Sequence, residues 1–171
     1  CPPSTETIAL IARIHGEVST IWKHKGEYGK AWQKSVLELK AYADLPVLGE
    51  YKKSFADANE SAARLARLIG DQDAAEYHDR IALETYRSDD LFGGASATVE
   101  QESYIQILLA ISHRRDNRKN EAVAYLRKAV DLMTAPIFNE VIDLTFQKAK
   151  TLATYGATLT ELGDDAEART Q

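Results

Sequence analysis

Four histidines, His15, His24, His78 and His113, are the first side chains in this sequence that could hold a metal or move a proton. His15 and His24 fall on different faces of one helix-period stretch, so they cannot share a ligand. None of the four forms a two-histidine helical pair or any other recognised ligand spacing. The single cysteine is Cys1, which leaves no disulfide framework, no zinc-ligand set and no dithiol pair. The histidines are therefore expected to be structural or surface groups, with no metal and no cofactor. Gly93-Gly94-Ala95-Ser96 could offer backbone amides to an anion, yet it lacks the glycine spacing and the lysine of a phosphate loop. No serine has the strand-turn-helix context of a nucleophile elbow. With no acid, base and nucleophile converging, catalysis is not expected.

Composition narrows the remaining classes. The chain has 171 residues, 44% hydrophobic and 27% charged, enough to bury a real core. A formal charge of -5 argues against a general nucleic-acid binder, which needs a surplus of Lys and Arg on one face. No run approaches the ~18 consecutive apolar residues of a membrane-spanning helix. Cys1 has two readings. It could be the lipid-modified first residue of an exported lipoprotein, or the point where a longer chain was cut. Only Pro2 and Pro3 separate it from the first helix cap, a short tether that favours the second reading and a cytoplasmic protein.

The elements that would carry any site are all helical in period. Ser4 and Thr5 precede a helix over about 7–24, with Ile8, Ile11, Ile14 (or His15), Val18 and Trp22 as its apolar stripe. After Lys25-Gly26-Glu27 a second runs over about 28–44 and stops at Leu45-Pro46. A third spans about 47–69 and ends at Gly70. A fourth covers about 74–87, with Ala75, Tyr77 or His78, Ile81, Ala82 and Tyr86 inward. Residues 88–96 read as the longest loop. Thr98 and Gln101 then read as a capping box for a helix reaching Arg115. A sixth helix starts at Glu121 and reaches Leu132. Thr134-Ala135-Pro136 opens a long one to Leu162, and Ala166 to Gln171 begins an eighth. No stretch alternates in polarity as a strand would.

Setting the turns at Gly26, Gly70, Asn117 and Gly163 in line places an alanine five residues after each: Ala31, Ala75, Ala122 and Ala168. The intervals are 44, 47 and 46 residues. A fixed interval of this kind marks hairpins that bury their apolar faces only against neighbours. At these residues the chain resembles the tetratricopeptide repeat (TPR) family. Leu152, Tyr155, Gly156, Leu159 and Ala168 follow its large, large-small, large, alanine spacing. Gln106, Leu109, Ala110, His113, Ala122, Leu126 and Ala129 do so in the third repeat, with Pro136 two residues later than the family's proline. Asn59, Ala62, Ala63, Ala66, Ala75, Asp79 and Ala82 form the second; His15, Val18, Ser19, Trp22, Ala31, Ser35 and Glu38 form the first. The intervals exceed the family's ~34 residues and look like the elongated repeats of bacterial regulatory proteins and kinesin light chains. The family's two-carboxylate clamp is missing, because Gly16, Thr20, Ser61, Tyr104 and Leu108 occupy its positions.

The resemblance implies an all-α fold. It would be one α-solenoid domain over 1–171, a TPR-like superhelix of about four antiparallel hairpins over 5–45, 47–87, 97–133 and 136–171, the last incomplete. In the family, the face of each first helix turned from its partner lines a concave groove. Carried over residue by residue, that face holds Arg13, Thr20 and Lys23; Glu60, Arg64 and Arg67; Tyr104, Ile107, Ile111, Arg114 and Arg115; and Lys150, Ala153, Ala157 and Thr160. An arginine stripe beside Tyr104, Ile107 and Ile111 would suit an acidic, partly apolar polypeptide. The competing reading is a solvated helix face, with Ile107 and Ile111 as core of a helix packed on more than one side.

The function expected is a non-catalytic protein- or peptide-binding scaffold, with self-association left open. Two alternatives stand beside it. One is the sensor or regulatory portion of a larger transcription regulator or signalling ATPase, and the other is a lipid-anchored envelope assembly factor.

Overall fold

The structure is a computed structural model that describes residues 3–88, 95–134 and 144–162. Every element among these is helical: α1 (Thr5–His24), α2 (Tyr28–Ala43), α3 (Lys52–Ile69), α4 (Gln72–Ser88), α5 (Ala95–Arg115), α6 (Lys119–Thr134) and α7 (Leu144–Leu162), with one 3-10 turn at Gly49–Tyr51. Consecutive helices pack together, α1 on α2, α3 on α4 and α5 on α6, with α2 also against α3 and α6 against α7. The chain divides into two compact units, Cys1–Asp89 and Asp90–Gln171. The expected loop at Gly93-Gly94, the proline start at Pro136 and the eighth helix lie outside the described residues, as does Ala168.

The three described hairpin turns share one backbone pattern. Gly26 and Gly70 adopt φ of +75° and +85°, and Asn117, the lone non-glycine with positive φ among the described residues, adopts +60°. In each turn an N–H reaches back five residues to the preceding helix: Glu27 to Trp22, Asp71 to Ala66 and Arg118 to His113, at 3.0, 2.9 and 2.8 Å. In each, the aligned alanine then donates to the first residue of the turn's exit, Ala31 to Glu27, Ala75 to Asp71 and Ala122 to Arg118. A left-handed residue is what reverses the chain while satisfying the last carbonyls of the first helix. The 44- and 47-residue intervals are thus a repeat of hydrogen bonding as well as of residue type.

Small residues form the seams inside each hairpin. Ala31, Ala75 and Ala122 are fully buried, as are Ala82 and Ala129 seven residues beyond the last two. At such sites a larger side chain would force the axes apart, at about 1–3 kcal/mol. In the first hairpin Ser19 joins the seam and its Oγ donates to the Ala31 carbonyl at 2.8 Å. In unit 1, Ala12, Ala41, Tyr42, Leu45 and Ala58 form a core, with Tyr42 edge-on to Phe55. In unit 2, Ala110, Ala122, Val123, Leu126, Tyr155 and Leu159 do the same.

Three expectations need correction. Ile11 is exposed on α1, and of Ile14 or His15 it is His15 that is partly covered and Ile14 that is exposed; the buried face is Ala9, Ala12 and Ser19. Hydrophobicity points to the bulkier stripe, while close approach to α2 selects the smaller one. The third helix does not start at Val47, because Gly49 takes a left-handed φ of +47° and forces a separate turn before Lys52. Thr98 is not a cap, since α5 begins at Ala95, ahead of it.

Candidate functional site

The expected groove residues fare unequally. In unit 1, Lys23 is half-buried in the last turn of α1. Arg64 is ion-paired with Glu60 one turn back on α3. Arg67 is largely covered: its side chain is 13% exposed and grips Asp79 of α4, which is fully buried. Burial lifts the Asp79 carboxyl to about 6 even though the Arg67 guanidinium opposes the shift. The pair pins α3 to α4. In unit 2, Tyr104, Ile107, Ile111 and Arg114 lie along one face of α5, but all four are partly covered, and Ile107 packs against Met133. Arg115 is exposed. From Gln101 to Arg114 no residue is exposed: Ser103, Ile105, Gln106, Leu109, Ala110, Ser112 and His113 are buried and the rest are partly covered.

His78, whose direction was open, turns inward while Tyr77 is exposed. Its Nδ1 lies 2.9 Å from Asn59 Oδ1 and its ring meets the edge of Trp32. Burial depresses its pKa, as expected for a neutral imidazole bridging helices. Among the described residues no group of His, Cys, Asp or Glu is arranged to hold a metal. No described helix is long and apolar enough to cross a membrane.

Among the described residues, a concave feature lies within unit 1, bounded by α1, α2 and α3. Two adjoining cavities of about 320 and 270 Å³ share Arg13, Tyr42 and Ser54 in their walls. The first adds Glu6, Leu10 and Tyr51, and the second adds Gly16, Glu17, Thr20, Glu38, Asp57 and Ser61. Glu38 reaches up from α2 into the notch left by Gly16 of α1. A Cβ built on Gly16 would stand 2.5 Å from Glu38 Oε1. Partial burial, reinforced by Glu17, raises the Glu38 carboxyl to about 7, and no cation offsets it.

Two other carboxylates near this cleft, Asp57 and Glu60, are already engaged. Asp57 accepts from Tyr86 Oη at 2.7 Å and from Lys53 at 3.4 Å. Glu60 takes Arg64 and a second, longer contact from Tyr86. Tyr86, fully buried, has its phenol pushed well above its ordinary range by burial first and by these acceptors second. Glu17 and Glu38 have no ion-pair partner among the described residues.

Glu38 was missed as a site residue, although the sequence carried a signal for it. In the repeat alignment it occupies the seam position that is alanine at Ala82 and Ala129. Gly16, opposite it, stands where the second repeat has Glu60. A large charged residue in a small-residue seam, facing a glycine, is a paired exchange that spacing alone displays.

No family model and no curated protein matches this chain. Among solved structures it is similar to BtubC (BKLC) from P. vanneervenii, with a TM-score of 0.77 at 16% identity over 99% of this chain. The match covers 62% of BtubC, so the chain spans less than two thirds of that protein's length. At this identity the likeness establishes the fold alone: an all-helical chain whose helices pack in consecutive pairs.

Proposed function

We propose that this chain is a non-catalytic polypeptide-binding module of TPR type, an α-solenoid whose stacked hairpins present a groove to an extended partner. The observation that carries this reading is the threefold recurrence of one hairpin turn and its buried alanine. Hairpins built alike and able to bury their seams only against neighbours make an open array, and open arrays offer concave surface in place of a deep catalytic pocket. The polar and charged lining of the unit 1 cleft suits side-chain recognition. The test is selection of a displayed random dodecapeptide library on the immobilised full chain. Related sequences that bind saturably at one per chain are expected. Recovery of no such sequence family would overturn the reading.

A further inference from the structure

The unit 1 cleft has a charge character opposite to the one the arginine stripe suggests. Its deepest carboxylate, Glu38, sits at the floor between α1 and α3, seated in the Gly16 notch with Glu17 beside it. Glu38 is half-buried and makes no ion pair among the described residues, which is destabilising for its charged form unless something outside the chain supplies a cation. The neighbouring repeats show that the fold does not require it, since the same seam position is a fully buried alanine at Ala82 and Ala129. Asp57 is occupied by Tyr86 and Lys53. Arg13, the one cation of the described lining, stands in the wall common to both cavities, beside Tyr42 and Ser54.

From this geometry we infer that the cleft bounded by α1, α2 and α3 receives a lysine or arginine side chain of the partner polypeptide, whose cation is held by Glu38 with Glu17. The inference rests on the polypeptide-binding reading above and names what one pocket of that site recognises. The first cavity, with Tyr51 and Leu10 in its wall, takes the apolar stem or a neighbouring apolar residue. The Gly16 notch has a specific part in this, because it gives the Glu38 carboxyl room against α1.

The experiment uses peptides recovered from the display selection and measures their affinity for the full chain. Sequences enriched in Lys or Arg are expected. Replacing the critical peptide lysine by norleucine should weaken binding to the wild type at least ~10-fold, while costing less than ~2-fold against Glu38→Gln, the pattern of a direct coupling. Gly16→Ala favours the helix intrinsically and displaces the Glu38 carboxyl, so it should lose affinity while keeping its fold by circular dichroism. Enriched peptides without Lys or Arg, or equal losses against wild type and Glu38→Gln, would overturn the inference and leave the polypeptide-binding reading standing. Failure to recover any binding peptide would overturn both.

Discussion

At the scale of single residues, half-buried Glu38 and buried Asp79 tie this protein's stability to pH. Glu38 has a folded pKa raised from 4.5 to about 7. The proton it holds in the folded state contributes stability that is complete below the unfolded value and is lost as pH rises through the folded one. Glu38→Gln should therefore leave stability unchanged near pH 4 and raise it at pH 8, on the order of 2 kcal/mol once the shift is discounted for solvent screening. Thermal melts of both proteins across that window measure it. Asp79 is held by Arg67 inside the α3–α4 hairpin. Arg67→Ala strands that carboxylate, and should destabilise unit 1 by about 3–5 kcal/mol at pH 8. The loss should shrink near pH 5, where Asp79 takes up a proton. Urea unfolding at the two pH values reads the difference. Sequence spacing placed Arg67 on a groove face because it records which way a residue points along its own helix. It does not record that Asp79, twelve residues on, returns beside it.

Hairpins are the next scale, and here the sequence was most legible. Turn positions, the alanine interval and the inward seam at Ala31, Ala75 and Ala122 could be read directly, because glycine and alanine there answer local steric demands. Asn117 holds a left-handed φ that costs a non-glycine residue free energy. Asn117→Gly should stabilise unit 2 by a few tenths of a kcal/mol up to about 1 kcal/mol. Gly70→Ala should destabilise unit 1 by about 1 kcal/mol, since its φ is +85° and no neighbouring atom obstructs the added methyl. Denaturant midpoints test both. Less legible was which stripe faces inward on α1. Leu10, Ile14 and Ile21 are roughly half exposed, while Ala9 and Ala12 are buried. Bulk hydrophobicity cannot choose between two stripes when the packing distance is set by the partner helix. The cover along α5 from Gln101 to Arg114 was likewise hidden, because periodicity reports one preferred face.

For the whole molecule, the two units each hold their own core, and the proposed recognition cleft lies entirely in the first. The cleft depends on an exchange between two helices, glycine on α1 for glutamate on α2, which the alignment contains but which no single-residue rule weighs. The fold class follows from pattern; the site follows from which departures from the pattern meet in space. Recognition of a cation by a carboxyl that is partly protonated at neutral pH must release a proton on binding. The most direct check is a calorimetric titration of the full chain at pH 7 with a selected lysine-bearing peptide, in two buffers of different ionisation enthalpy. We expect saturable one-to-one binding whose apparent heats differ between buffers through proton release, a difference that Glu38→Gln removes. Identical heats in the two buffers, or no saturable heat in either, would refute a cation held at Glu38.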